Sequence, residues 1–270
     1  MGNAEGFCRK TLVAHSFCMA ASGYDTVAAL QRSVGECLLS QRPPSQGIGC
    51  ILDIGAGTGF FSAHLESHYP GARIIALDIA EGMLLRARQR FAGSLVVGDA
   101  ESLPIASHSV DLVFTNLAIQ WCNSLESALL EFRRVLRPGG WLLLSTFGPS
   151  TLKELRAAWA CVDDYSHVNQ FASLAVIEQA LTASGFQNIQ VEAQLRSIVY
   201  PDVIELMREL KGLGAHNLTA GRARHLMGKG SLARMIAAYP KAQDALGGHC
   251  IEATYELILG SAVRHGWSCA

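Results

Sequence analysis

Residues 50–59 read Cys50-Ile51-Leu52-Asp53-Ile54-Gly55-Ala56-Gly57-Thr58-Gly59. The first five form a short apolar run stopped by a glycine cluster, the pattern of a buried parallel strand. A helix over 60–68 follows, so the cluster sits where a strand becomes a helix. Glycine lets the backbone turn tightly and approach a ligand, because no Cβ intervenes. The spacing is G-x-G-x-G. It is not the G-x-G-x-x-G of dinucleotide folds, and no Lys follows as in a P-loop. Asp53, two positions before the first glycine, repels a pyrophosphate and suits a cationic amino group.

Outward from this stretch the alternation continues. A turn at Pro70-Gly71 leads to a strand over 73–77, a helix over 81–91 and strands over 95–98 and 110–115. A helix over 124–136 carries Leu125, Leu129, Phe132 and Leu136 on one face, and Pro138-Gly139-Gly140 ends it before a strand over 141–147. Strands alternating with helices call for a parallel sheet with right-handed crossovers, a doubly wound α/β layer. Upstream, 25–39 reads as a helix capped by Asp25, and 41–49 as a linker.

After residue 150 the rhythm breaks. Thr151-x-x-Glu154 predicts a capping box for a helix bearing Leu152, Leu155 and Trp159. A helix near 174–184, a strand over 189–200, two helical pieces in 202–239 around a Gly-rich centre, and a last strand over 253–263 follow. The expected fold is Rossmann-like α/β: a mostly parallel seven-stranded sheet, helices on both faces, and a helical lid insertion before the last strand. Residues 1–270 read as a single domain, with a helical cover (1–45), a core (50–147) and lid segments (150–185 and 201–241).

Composition bounds the function. The chain has 270 residues, of which 50% are apolar and 17% charged. That supplies a large core and argues against disorder. Its 22 Lys+Arg against 23 Asp+Glu give a net charge of −1, so no global field holds a nucleic acid. No apolar run reaches the ~18 residues that span a membrane. Arg9-Lys10 followed by 11–23 mimics a secretory signal, but His15 and Ser16 interrupt its apolar part. Met1-Gly2 opens a myristoylation pattern that Gly6 spoils. Eight scattered cysteines without C-x-x-C read as reduced thiols of a cytoplasmic protein. His64 and His68 lack a third ligand, so no metal is expected.

Two more acids stand at strand ends. Asp78 follows Asp53 by 25 residues, where a carboxylate accepts two hydrogen bonds from a ribose diol. Gly98-Asp99-Ala100-Glu101 ends the next strand, where a carboxylate accepts from an adenine amino group. All three acids fall in the crevice where doubly wound sheets bind ligands. Together they suit an adenosine that carries an ammonium and no phosphates, which is S-adenosylmethionine. Glycine spacing and the lack of phosphate partners disfavour NAD.

Residues 50–147 accordingly resemble the class I S-adenosylmethionine-dependent methyltransferases, through Asp53-x-Gly55-x-Gly57-x-Gly59, Asp78, Asp99 and the Leu136-Arg137-Pro138-Gly139-Gly140 turn. Nearly the whole chain resembles one subfamily, the malonyl-acyl-carrier-protein O-methyltransferases (BioC type). The stretches that carry this are Ser22-x-Tyr24-Asp25-x-x-Ala28-x-Leu30-Gln31 and Thr115-Asn116-Leu117-Ala118-Ile119-Gln120-Trp121-Cys122. Val162-Asp163 with His167-x-Asn169-x-Phe171, Leu210-Lys211-Gly212-Leu213-Gly214-Ala215, Gly221-Arg222 and Thr254-Tyr255 carry it too, and the 116–121 and 210–215 stretches are the discriminating ones. The resemblance implies a cytoplasmic enzyme that methylates the free carboxylate of a malonyl thioester, on acyl-carrier protein or coenzyme A, toward pimelate and biotin. Another small-acid or quinone-precursor methyltransferase shares every core motif. A non-catalytic cofactor-binding scaffold is the alternative outside enzymes.

Site residues are expected as follows. Gly55, Gly57 and Gly59 line the methionine side, Asp78 holds the ribose and Asp99 the adenine. Tyr24 and Gln31 cover the cofactor from the N-terminal helix. Asp53, Met83, Ala100, Glu101, Asn116, Leu117 and Gln120 complete the cofactor set. A malonyl carboxylate is ionised at pH 7, so attack needs no general base. A carboxylate in a closed site wants an Arg fork; Arg222 is the first candidate and Arg196 the second. Trp121 walls the substrate channel, and His167 and Asn169 contact substrate from the lid. Residues 201–241 hold seven Lys and Arg (Arg208, Lys211, Arg222, Arg224, Lys229, Arg234, Lys241) against Asp202, Glu205 and Glu209. This basic insertion is expected to dock an acidic carrier protein.

Overall fold

The computed structural model describes residues 10–215, 228–243 and 248–266. Among the described residues three helices precede the sheet: α1 (Lys10–Ala20), α2 (Tyr24–Val27) and α3 (Ala29–Ser40). The core then alternates β1 (Cys50–Ile54), α4 (Phe60–His68), β2 (Arg73–Asp78), α5 (Glu81–Ala87), β3 (Ser94–Val97), β4 (Val110–Asn116), α6 (Leu125–Val135) and β5 (Leu136–Phe147). Next come α7 (Lys153–Ala160), α8 (Leu174–Ala183), β6 (Phe186–Tyr200), α9 (Val203–Gly212), α10 (Lys229–Ala238), a two-residue β7 (Ala242–Gln243) and β8 (His249–Arg264).

The strand order is β3-β2-β1-β4-β5-β8-β6, with β7 beside β8. The first five strands run parallel, and β8 runs antiparallel to both β5 and β6. Order reverses between β1 and β4, which opens the crevice at their carboxyl ends. Every position of β1 is buried, because helices cover both faces. Ile51 points into the core beneath α3 and α4 with Val34, Leu65 and Phe114. Leu52 and Ile54 point into the opposite core with Leu129, Phe132 and Leu142. That split is the two-residue period of a strand. At the far end of α6, the Arg264 guanidinium donates to the carbonyls of Arg133 (2.8 Å) and Leu136, satisfying groups a helix terminus leaves open.

The structure departs from expectation where tertiary partners win. The helix expected over 25–39 breaks at Ala28 into α2 and α3, and neither start has a side-chain cap. No capping box forms at Thr151. Its hydroxyl donates to the Glu256 carbonyl (3.2 Å) and accepts from the Glu256 N–H (3.0 Å). The Glu154 carboxylate takes Thr254 instead. Strand β8 therefore supplies the partners that a local cap would have, and α7 begins after Leu152. The helix expected to 136 stops at Val135. Strand β5 starts at once, with a register shift against β4 between Val110 and Leu112. Strand β8 begins at His249, four residues before the expected start. The signal-like stretch is helix α1, which packs on α5, and the Gly82 N–H reaches the Cys18 sulfur at 3.2 Å. Of the Gly-rich centre expected between the pieces of 202–239, residues 216–227 lie outside the described residues.

Candidate functional site

The loop from β1 to α4 is left-handed at Gly55, Gly57 and Gly59, with φ of +70°, +55° and +76°. A Cβ on Gly55 would stand 2.4 Å from the Ala118 Cβ, and one on Gly59 2.8 Å from the Ala87 Cβ. Gly57 has no such neighbour and borders open space. The amides of Gly55 and Ala56 bind the Leu77 carbonyl at 2.8 and 3.0 Å, which ties the loop to β2. Asp25 latches it from outside: Thr58 donates to Oδ1 and Arg90 to Oδ2, each at 2.8 Å. Asp25 is thus a loop latch in α2 rather than a cap.

A cleft of about 690 Å³, counting the open space at its mouth, lies at the β1/β4 crevice. Asp78 stands on one wall, its Oδ2 accepting from the Gly57 N–H (2.9 Å) and its Oδ1 from Ala80 (2.8 Å). Burial raises its pKa, and these backbone donors oppose the rise. Asp99 stands on another, its Oδ1 accepting from the Lys10 ammonium at 2.8 Å and the Glu101 N–H at 3.0 Å. Burial alone would lower the pKa of Lys10, but Asp99 and Glu101 hold it above its ordinary value. Tyr24, Met83, Ala100, Asn116, Leu117 and Trp121 also line the cleft.

Helix α1 roofs this cleft with Lys10, Val13 and Phe17, and Phe17 meets Trp121 edge-on at 5.4 Å. Sequence reasoning missed all three; the i, i+4 pair Val13 and Phe17 was the available signal. Glu101 and Gly59 do not line the cleft. The Glu101 carboxylate accepts from the amides of Asn123 (3.0 Å) and Ser124 (2.7 Å), which fixes the entry to α6.

Asp53 lies deeper, 2% exposed, with its Oδ2 accepting from the Ser62 hydroxyl at 2.6 Å. Burial pushes its pKa up to about 7; the Ser62 bond opposes this and Asp78 adds to it. A recess beside it is bordered by Asp53, Gln31, Arg32, Asn116 and the glycine-loop backbone. Asp25 borders it too, already bound by Thr58 and Arg90, and the Arg32 guanidinium donates to the Asp25 carbonyl at 2.7 Å. The Asp53 carboxylate and the Arg32 guanidinium suit the ammonium and carboxylate of an amino-acid end. Arg32 also escaped the sequence reading, although it follows Gln31.

A second cavity of about 610 Å³ shares Phe17, Tyr24, Leu117 and Trp121 with the first. Leu152, Phe171 and Leu210 give it apolar walls, while Gln31, Gln120, Asn169, Glu209 and Tyr255 are polar. The Tyr200 hydroxyl donates to Glu209 at 2.8 Å and lies 3.3 Å from that of Tyr255. Burial raises the Glu209 pKa against the Tyr200 bond. Leu117, at the wall between the cavities, has φ +49°, a strained value for a branched side chain. Its N–H binds the Ser145 hydroxyl at 3.0 Å. That hydroxyl donates to Asn116 (2.7 Å), and Asn116 donates to the Gln31 carbonyl (2.9 Å).

Two expected substrate residues point elsewhere. Arg196 on β6 donates to the Ser33 hydroxyl (2.7 Å) and the Cys37 sulfur (3.1 Å) on α3, so it clamps a helix to the sheet. His167 stacks on Trp159 at 3.9 Å with its Nε2 2.8 Å from Asp163, which holds the 150–185 segment together. Arg222 lies outside the described residues. Among the described residues no lysine or arginine lines the second cavity. His64 and His68 engage helix carbonyls through Nδ1, and no metal-holding group of three or more His, Cys, Asp or Glu occurs among the described residues. No helix among the described residues is long and apolar enough to cross a membrane.

A doubly wound parallel sheet with an antiparallel final pair, and acids ringing a glycine loop at its switch point, defines a class I methyltransferase. Residues 52–144 match a family model described as a methyltransferase domain. A solved Haemonchus contortus phosphoethanolamine N-methyltransferase 2, in complex with S-adenosyl-L-methionine, shares the fold with a TM-score of 0.56 at 16% identity, over 92% of this chain and 57% of that one. A malonyl-acyl-carrier-protein O-methyltransferase of Methylococcus capsulatus is 52% identical over 85% of this chain and 86% of its own. A biotin biosynthesis bifunctional protein BioHC of Cellvibrio japonicus is 45% identical over 92% of this chain and 49% of its own. The chain belongs to the malonyl-acyl-carrier-protein O-methyltransferase family.

Proposed function

We propose that this protein transfers the methyl group of S-adenosylmethionine to the free carboxylate of a malonyl thioester, opening pimelate synthesis for biotin in the cytoplasm. The observation that carries this is the junction of two cavities across Tyr24, Leu117 and Trp121, one with Asp78 and Asp99 on its walls and the other mostly apolar. The names of the Methylococcus and Cellvibrio relatives support the substrate and the pathway. We read the chain as a single domain, with α1–α3 as cover and α7–α10 as lid.

The cofactor supplies an electrophilic methyl on a sulfonium. In this reading Asp78 accepts from the ribose diol and Asp99 from the adenine amino group. Asp53 and Arg32 take the ammonium and carboxylate of the amino-acid end. Asn116 holds Gln31 in place, and Leu117 and Trp121 separate cofactor from acceptor. The malonyl carboxylate is ionised at pH 7, so the protein has no proton to move. Catalysis reduces to in-line placement, worth ~7–11 kcal/mol in favourable cases. Arg222 is the proposed counter-charge for the carboxylate.

Incubation with methyl-labelled cofactor and malonyl-acyl-carrier protein should give the methyl ester. Label moving only to another acceptor would favour a small-acid or quinone-precursor enzyme, and binding without turnover a scaffold. The basic 201–241 insertion is the proposed carrier dock. Raising salt from low values should therefore increase KM for the carrier-protein substrate more than for malonyl-coenzyme A. Equal salt dependence would remove that role.

A further inference from the structure

We infer that the Tyr24 hydroxyl is a catalytic group, donating a hydrogen bond to the acceptor carboxylate where that carboxylate meets the sulfonium methyl. The inference rests on the carboxylate acceptor proposed above and gives Tyr24 a role toward it, beyond covering the cofactor. Among the described residues, Tyr24 alone lines the cofactor cleft, the second cavity and the recess beside Asp53. Leu117 and Trp121 line the first two of these spaces, and Gln31 the last two. The sulfur of S-adenosylmethionine carries three substituents, and each has a space here. In the proposed mode adenosine takes the cleft with Asp78 and Asp99, and the amino-acid chain takes the recess with Asp53 and Arg32. The methyl then faces the second cavity. The sulfur belongs where the three spaces meet, and Tyr24 borders that point.

The hydroxyl is uncommitted. It makes no hydrogen bond with another described residue. It is also absent from the polar atoms sealed off from solvent without a partner, so it meets open space. The ring is held in place by packing against Ala21, Ala80 and Met83. Burial raises the pKa of the phenol, Asp78 and Asp25 add to the rise, and Arg32 opposes it. Tyr24 therefore keeps its proton at neutral pH and remains a donor.

At the sulfur, few groups can accept from it. The sulfonium is a cation and accepts nothing, and the amino-acid carboxylate has Arg32. The acceptor carboxylate remains. It approaches a crevice that holds Asp53, Asp78 and Asp99, where like charge disfavours it. A neutral donor beside the methyl offsets that repulsion at the point of attack and sets which oxygen faces the carbon. In the transfer a lone pair of the other carboxylate oxygen forms the O–C bond. The C–S bond breaks, and its electron pair stays on sulfur as the neutral thioether. The phenol keeps its proton throughout. Arg222 draws the carboxylate in; Tyr24 orients it.

The test is Tyr24→Phe in the full chain, which keeps the ring and its packing and removes only the oxygen. Calorimetry reads three affinities in variant and wild type. The first is S-adenosylhomocysteine for the free protein. The others are malonyl-coenzyme A and its methyl ester for protein saturated with S-adenosylhomocysteine. Loss of a hydrogen bond to a charged group should weaken malonyl-coenzyme A binding about tenfold or more, and kcat/KM should fall in step. The ester offers a neutral oxygen, to which a hydrogen bond is roughly half as strong, so it should lose clearly less. S-adenosylhomocysteine affinity should stay within about twofold. Equal losses for acid and ester would mark a packing role and overturn the inference. So would an unchanged malonyl-coenzyme A affinity, or a cofactor loss as large as the loss for the acid. Wild-type protein that leaves every malonyl thioester unmethylated would overturn the functional reading, and with it the ligand of Tyr24.

Discussion

Replacing Asp78 with Ala should weaken S-adenosylmethionine binding by about a hundredfold to ten-thousandfold. A carboxylate that accepts two hydrogen bonds from a ribose diol contributes roughly 1.5–3 kcal/mol through each, and ~1.4 kcal/mol is tenfold in affinity. Asp78 is placed for that role at the end of β2, 8% exposed, with lone pairs left after accepting from Gly57 and Ala80. The same bonds make the Ala variant ambiguous unless stability is followed. Two N–H groups lose their acceptor, at roughly 1–3 kcal/mol for each that stays buried, and the loop that carries Gly57 loosens. Asp78→Asn separates the effects. Its carbonyl oxygen still accepts from one backbone amide, so melting temperature should fall less than in the Ala variant, while the charge that strengthens both ribose bonds is gone. Calorimetry on protein shown folded by circular dichroism decides the matter. Wild-type affinity in a folded Ala variant would remove Asp78 from the cofactor site.

The parts of this molecule legible in the sequence are those fixed by near neighbours. Strand β1 and helix α4 fall on the expected boundaries, Cys50–Ile54 and Phe60–His68, because an apolar run, a glycine cluster and a helical period are all local. Gly55, Gly57, Asp78 and Asp99 reach one cleft because strand ends of a doubly wound sheet converge on it. Polar side chains whose partners lie far along the chain were misread. Thr151 and Glu154 had the spacing of a cap, but β8 runs past them and takes both. Arg196 looked available for a substrate and is spent on Ser33, 163 residues away. His167 had an aromatic partner, Trp159, that no spacing rule identifies. The largest omission was the cleft residues of α1. The sequence predicts a helical cover over 1–45 but does not single out Lys10, Val13 or Phe17. This mixed polar and apolar stretch mimics a targeting signal, and only its packing on α5 brings Lys10 to Asp99.

Cofactor affinity should rise with pH up to about 7, and Asp53 is the reason. Its carboxyl is held near 7 by burial without a cation, against ~3.9 for an exposed aspartate. An ammonium beside it favours the ionised form and pulls that value down. Below pH 7 binding must therefore expel a proton. Between pH 5 and 7 the affinity should climb by up to about tenfold per unit, the limit for one released proton. Above roughly 8 the ligand's own α-amino group begins to lose its charge, so a plateau near 7–8 should be followed by decline. Calorimetry at pH 6 in two buffers of different ionisation enthalpy should register close to one proton released per cofactor bound. The unliganded protein carries the opposite signature. Because the folded pKa lies above the unfolded one, the native state keeps a proton that the unfolded chain gives up between about pH 4 and 7. Stability from this group is full below that window and falls as pH rises through it, by a ceiling of roughly 4 kcal/mol. Asp53→Asn should flatten the affinity slope and remove this stability loss together. A variant that binds with the wild-type pH slope would show that the proton comes from elsewhere and that Asp53 does not face the ammonium.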